Sequence, residues 1–336
     1  MIVVAGASAA AAAATAYGAK KGVDAYKDNK EAKRKRKQAK YIFDKAKIRL
    51  NKARKDTKED LENLGRARLE AWREQVGRFV NVFEQLRQVD VGELPQTEEF
   101  DIDRPSSEQI SGMKEASLEA EELATDGGKA LSAGALAGIG SYGAASGAAT
   151  ASTGTAISSL SGAAAQSATL AWFGGGAAAA GGGGVAAGAA VLGGLTSAPV
   201  LAVGGMLASS KARKNLANAK KVKAKAKKAA EEMKTARSVT EGIGDVARQH
   251  TDFIEEFRSR MDRSLGALEH VIRRHGPNYQ AMGDTDRRVV HVAVQFAQVM
   301  KAMLTTPLLD ENGSLSTAST DALESGRRFM SKTSIE

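Results

Sequence analysis

Residues 69–86, LEAWREQVGRFVNVFEQL, carry large apolar side chains at Leu69, Trp72, Val76, Phe79, Phe83 and Leu86. The intervals are 3, 4, 3, 4 and 3 residues. That spacing puts all six on one stripe of a helix, and the stripe has to be buried against another helix. A second stripe follows far downstream at Ile254, Phe257, Met261, Leu265, Leu268 and Ile272, spaced 3, 4, 4, 3 and 4. Two such seams in one chain predict a coiled helical bundle in which they face each other.

Before the first seam, residues 20–58 hold 17 basic and 5 acidic side chains, dominated by Lys, Ala, Glu and Gln, with no proline until Pro95. This block reads as one charged helix running into the seam. Preceding it, residues 2–19 (IVVAGASAAAAAATAYGA) form a small-residue apolar helix, about 27 Å long at 1.5 Å per residue and so near the thickness of a bilayer core. No basic residue precedes that run, as one would in a secretory signal, although Ala16-Tyr17-Gly18-Ala19 has the small residues of a cleavage site.

Downstream, Asp90 to Ser107 breaks the helix with Gly92, Pro95, Pro105 and many acids. A short amphipathic helix is expected over 108–125, ended by Asp126-Gly127-Gly128. Residues 59–126 hold 7 basic and 18 acidic side chains, so the charge reverses from the block before.

Residues 130–210 contain no Asp, Glu, Lys, Arg or His and include 19 glycines. Gly134/Gly138, Gly143/Gly147 and Gly184/Gly188 stand four apart. Glycines at that spacing clear one helix stripe, so two backbones can approach closely. Helices are expected near 130–150, 155–173 and 185–209, broken at the glycine runs 174–176 and 181–184 and kinked at Pro199. The span 185–209 carries the most Val, Leu and Met and is the best candidate to cross a membrane. Trp172-Phe173 reads equally as an interfacial anchor or as a helix–helix contact.

A second basic block, 211–237, holds 11 basic and 2 acidic side chains directly after the uncharged segment. Lys211, Arg213, Lys214, Lys220, Lys221, Lys223 and Lys225 are its candidate lipid-facing cations, each worth about 1 kcal/mol beside an anionic surface. A merely solvated helix face is the plainer reading of the same block. The seam helix follows, then a turn at His275-Gly276-Pro277-Asn278. A last helix is capped by Asp284 and stopped near Thr306 by Pro307. The Ser/Thr-rich residues 307–336 read as a disordered tail.

The chain therefore divides into an apolar helix (1–19), a basic then amphipathic long helix (20–90), an acidic linker with a short helix (91–129), the glycine-zipper segment (130–210), three further helical stretches (211–306) and a tail (307–336). The expected fold is all-α and elongated, with long coiled-coil helices and a Gly/Ala-rich helical hairpin or small bundle.

Catalysis is not expected. The chain has no cysteine, which removes thiolate chemistry and Cys-based zinc sites. Gly138-Ile-Gly140-Ser-Tyr-Gly143 matches a dinucleotide fingerprint, but its flanks are Ala-rich and no acid follows before Glu231 to hold a ribose. His250, His270, His275 and His291 make no ligand pair on a helix face; His250 reads as an interhelical histidine. No catalytic residue, cofactor, metal or small-molecule substrate is implied.

The sequence TGTAISSLSGAAAQSATLAWFGGGAAAAGGGGVAAGAAVLGGLTSAPVLAVGGMLAS (153–209), with the opening AYGAKKGVDAYKDNKEAKRK (16–35) and the ending TPLLDENGSL (306–315), resembles a family of bacterial membrane-associated proteins with glycine-zipper centres and coiled coils. The resemblance implies a bacterial origin and a membrane-associated helical architecture. It brings no activity and no functional residues.

These readings predict a protein that inserts its glycine zipper into or against a lipid bilayer, forming a pore or remodelling the membrane. Its partner would be anionic lipid, and its place the bacterial inner membrane or the cytoplasm with membrane association. One alternative is a soluble helical scaffold, a homo-oligomer around a buried Gly/Ala core. Another, less favoured, is non-specific nucleic-acid association, for which no reader fold accompanies the lysines.

Overall fold

The structure, a computed structural model, describes residues 5–89, 94, 105–125, 216–309 and 314–333. The regular elements among them are all helical. Helix α1 spans Ala5–Glu70, runs through a π-helical segment Ala71–Val76 and continues as α2, Gly77–Phe83. Helix α3 is Ser107–Thr125, α4 is Leu216–His275, α5 is Asp284–Thr305 and α6 is Thr317–Lys332. The described residues form two compact units. One takes α1 to Arg54 and α4 to Val239; the other takes the residues from Lys55 and from Thr240 onward.

In the second unit the long helices run parallel. Thr57 Oγ1 donates to the Thr240 carbonyl at 2.9 Å. Arg258 donates to Glu70 at 2.9 Å, Gln75 to Asp262 at 3.2 Å, and Arg78 to Glu269 at 2.8 Å. Partner numbers rise together on both strands of the coil; an antiparallel pair would make one fall. The pairing ends in a short parallel bridge, where Arg87 N–H donates to the Pro277 carbonyl at 2.8 Å and Tyr279 N–H donates to the Arg87 carbonyl at 3.0 Å. Gly276, with φ of 81°, supplies the left-handed turn that releases α4 into this bridge. Close approach near the start of the unit depends on Gly244. A Cβ there would lie 2.7 Å from Asp60 Oδ2 and 3.0 Å from Thr57 Oγ1.

The π-helical segment reconciles two registers. The buried positions Thr57, Leu64 and Ala67 of α1 and Ala71, which opens the π-helical segment, follow a heptad. Continued unchanged, that heptad would turn Glu74, Arg78 and Asn81 inward. Instead Gly77 N–H reaches the Trp72 carbonyl five residues back, adding a residue to the turn. The seam moves by one position onto Trp72, Val76, Phe79, Phe83 and Leu86, all buried, while Glu74 and Asn81 stay exposed. Leu69 is buried as well, and the facing stripe Ile254, Phe257, Met261, Leu265 and Leu268 joins the same core, with Ile272 packed at its margin.

The tail expected to be disordered is instead α6. Ala322, Leu323, Phe329 and Met330 fall on one helical face and are buried. Phe329 packs edge-on to Phe296 of α5, ring centres 5.2 Å apart, and lies 6.0 Å from Phe257 of α4. A Cβ on Gly326 would overlap the Phe253 ring, so glycine lets α6 close onto α4. Two smaller corrections concern helix ends. The cap of α5 is Gly283, and Asp284 opens the first turn beside Asp286, where acids meet the positive end of the helix dipole. The first seam helix ends at Phe83, short of the expected residue 90.

No helix among the described residues is long and apolar enough to cross a membrane. That includes the helical residues of the 2–19 run, which belong to α1. The expected spanning segment 185–209, the other helices of 130–210 and all six zipper glycines, Gly134, Gly138, Gly143, Gly147, Gly184 and Gly188, lie outside the described residues.

Phe79 is 1% exposed within this core. Phe79→Ala should cost about 3–5 kcal/mol, transfer and cavity together. Denaturant unfolding followed by far-UV circular dichroism measures it, and an unchanged midpoint would contradict the packing described.

Candidate basic interaction surface

In the first unit the same two helices meet through a much thinner seam. Ala39, Phe43 and Leu50 of α1 pack with Val222, Ala226, Ala229, Met233 and Ala236 of α4. The α4 positions are spaced 4, 3, 4 and 3, so the heptad of the downstream seam begins here, with alanine in most places. Alanine buries little area, and the attraction holding this pair is correspondingly small.

Parallel order brings both basic blocks into this unit. Between residues 23–54 and 216–239 there are 21 basic and 6 acidic side chains. Lys223 Nζ donates to Gln38 Oε1 at 2.7 Å. Desolvation lowers the Lys223 pKa, and the neighbouring charges of Lys35, Lys227 and Arg34 lower it further. Two guanidiniums are buried in part without a hydrogen-bond acceptor: Nε and Nη2 of Arg36, and Nε of Arg54. Desolvation also lowers the Arg54 pKa. The surface is thus strongly cationic and short of anions, and Glu31 pairs with Lys35 within it.

A groove of about 340 Å³ runs along one flank of this coil. Ile42, Ala46, Ala230 and Met233 give it an apolar floor, and Lys45, Arg49, Lys234 and Arg237 a mostly cationic rim that one acid, Glu231, interrupts. Tyr41 stands at one end, 64% exposed, with Lys45 Nζ 5.6 Å from its ring centre. Ile48 is also largely exposed, at 68%.

Of the candidate lipid-facing cations, Lys220, Lys221 and Lys225 are exposed and Lys223 is half-buried. Lys211, Arg213 and Lys214 lie outside the described residues. The seam residues Leu69 to Leu86 belong to the other unit and form core, not surface. The sequence marks both basic blocks but does not bring the one on α1, from Lys27 to Arg54, against the one on α4. The alanine seam that joins the two was missed as well. The signal was present as Ala and Val at 3–4 spacing, hidden because alanine is equally common on solvated faces.

The second unit holds the most strongly perturbed groups. His250 is fully buried, and its Nε2 lies 3.0 Å from the Ser319 carbonyl, so that nitrogen carries the proton. Nδ1 has no partner. Burial, then the nearby Arg68 charge, depress the His250 pKa to about 3. Arg68 is itself buried, and desolvation lowers it to about 10. Its Nη2 donates at 2.9 Å to the carbonyl of Thr306, the C-cap of α5, where the helix dipole is negative. Among the described residues no group of three His, Cys, Asp or Glu could hold a metal ion, and this cluster reads as structural.

Comparison of the chain with family models, with curated proteins and with solved structures finds no match.

His250 makes stability depend on pH. Its folded pKa lies below the ordinary 6.5, so the unfolded chain binds the extra proton. The contribution is complete above about pH 6.5 and is lost as pH falls toward 3, by roughly 3 kcal/mol at pH 4. His250→Gln, which can still donate to Ser319, should flatten that part of the pH–stability curve. Identical acid dependence in both proteins would show that His250 does not carry it.

Proposed function

We propose that this is a membrane-associated helical protein whose basic coil holds it to anionic lipid and brings the uncharged segment 130–210 against the bilayer. The observation that carries the reading is the pairing of two cationic blocks, 183 residues apart in sequence at the Thr57–Thr240 layer, on one parallel coil. Side-by-side cations raise the local potential well above that of one helix and are relieved by an anionic surface. Both blocks border uncharged small-residue runs, 2–19 and 130–210. Described residues support attachment; insertion, pore formation or remodelling would fall to the glycine-zipper segment. The resemblance to bacterial glycine-zipper proteins points the same way and suggests the inner membrane.

Flotation with anionic and with neutral vesicles tests this. The full chain should float with the anionic ones, and less as salt rises. Changing Lys220, Lys221, Lys223 and Lys225 to Gln should weaken that binding by at least about tenfold, with about a thousandfold as the ceiling at 1 kcal/mol each. Unchanged binding of the variant at low salt would make the block a solvated face. Retention by DNA with none by vesicles would favour nucleic acid instead.

A further inference from the structure

The basic groove of the first unit has a complement on the second. Helix α3 buries Met113, Ala116, Ser117 and Ala120 and turns the opposite face to solvent. That outer face carries Glu108, Ser111, Glu115 and Leu118, all exposed. Leu118 is 62% exposed, a large apolar side chain flanked by acids. Toward the N-terminus of the helix, next to Ser111, is Gly112, at which a Cβ would meet nothing within 4 Å, so that stretch is open and small. The whole helix holds five glutamates against the single Lys114, which is paired with Glu84 at 2.7 Å. An acidic helix face with a central apolar residue is what an apolar groove with a cationic rim accepts.

We infer that α3 of one molecule docks in the basic groove of a second copy of this chain. An antiparallel fit has a definite register. With Leu118 set over Tyr41 and Ile42, Glu115 falls level with Lys45, three to four residues along. Glu108 then falls level with residues 51–52 of α1. Within this unit the Lys223–Gln38 contact puts Lys234 level with Arg49, and both lie less than one turn away. Ser111 and Gly112 cross the stretch between, where their small size allows close approach. Lys45 to residue 52 covers about 10 Å of helix, the same rise as Glu115 to Glu108. Groove and α3 face are different patches, so the contact is heterologous and each molecule offers one of each. It propagates into chains or closes into a ring. It uses three of the 21 cations, Lys45, Arg49 and Lys234, and leaves the rest of the basic surface for lipid.

The absence of cysteine from the sequence permits a direct test without lipid. Full-length Leu118→Cys and Tyr41→Cys proteins, mixed and oxidised at low salt, should give a disulfide-linked pair. Leu118→Cys mixed with Val23→Cys, 18 positions from Tyr41 along α1, should not. Reversing the rim with Lys45→Glu and Arg49→Glu in the Tyr41→Cys protein should cut the yield about tenfold. Glu115→Lys in the Leu118→Cys protein should restore it, with melting temperatures unchanged throughout. Light scattering of the wild type should show mass rising with concentration and falling with salt. Cross-linking no greater than the Val23 control, with monomeric mass at low salt, would overturn the inference. Protection of Tyr41→Cys from maleimide by anionic vesicles in a protein that stays monomeric would assign the groove to lipid and overturn it equally.

Discussion

Everything distinctive in this structure follows from the parallel order of α1 and α4. A heptad does not by itself choose direction, and the polar layers do. Thr57 on Thr240, Gln75 and Arg78 on Asp262, and Arg258 on Glu70, Glu74 and Gln75 satisfy their partners in one register. A shift by a heptad would leave several of these groups unpaired beside the core. Removing the partner of a buried polar group costs about 1–3 kcal/mol, more than a well-made bond adds. The charged network is worth little as raw stability because much of it is exposed. Its effect is to exclude alternatives.

That choice has an electrostatic consequence at the other end of the helices. Had they run antiparallel, each basic block would face the nearly neutral, seam-bearing part of its partner. Running parallel, the blocks face each other across alanines. Repulsion between exposed cations is screened beyond about 8 Å at physiological ionic strength, but neighbours on facing helices are closer than that. The second unit can hold the pair in register through its large core of Trp72, Phe79, Phe257 and Phe296. Among its described residues, the cluster of the first unit has Phe43, Leu50, Val222 and Met233 beyond its alanines. A stretch of coil so weakly self-attracting and so positive is stabilised by whatever anion binds it.

The sequence made the helical class and both large seams readable, because Trp, Phe, Leu and Met at 3–4 spacing have no other economical use. It did not disclose the π-helical insertion at Ala71–Val76, since the 69–86 stripe looks regular on its own. The irregularity exists only relative to the upstream heptad of Leu64 and Ala67, which small residues obscure. Helix α6 was misjudged on composition: Ser and Thr suggested disorder, while Leu323, Phe329 and Met330 kept a helical period. The basic surface was half legible. Its lysines on α4 were evident, but their confrontation with Lys27–Arg54 required knowing the direction of pairing, which no local pattern encodes. The groove between the helices was not legible at all, because Ile42 and Met233 meet only once the register is fixed.

Charge segregation along the chain then acquires a physical sense. Residues 20–58 carry a net +12 and residues 59–126 a net −11, but the seam stretch 59–89 is close to neutral, with 6 acidic and 5 basic side chains, and the negative charge is concentrated in 90–126, with 12 acidic and 2 basic. Interspersed charges would have neutralised each other locally through i, i+4 pairs and left a bland surface. Segregated charges cannot do so, and their fields extend outward to act on other bodies: an anionic lipid sheet for the basic coil, a second molecule for the acidic helix α3. Both attractions draw on the same cations, so they oppose each other where they overlap. Lipid that fills the groove displaces a neighbour's α3, and an assembled chain of molecules has fewer cations to offer a membrane. Linkage makes the competition reciprocal. Binding to anionic vesicles and self-association should therefore weaken each other by the same factor, a relation that holds only if the groove cations serve both.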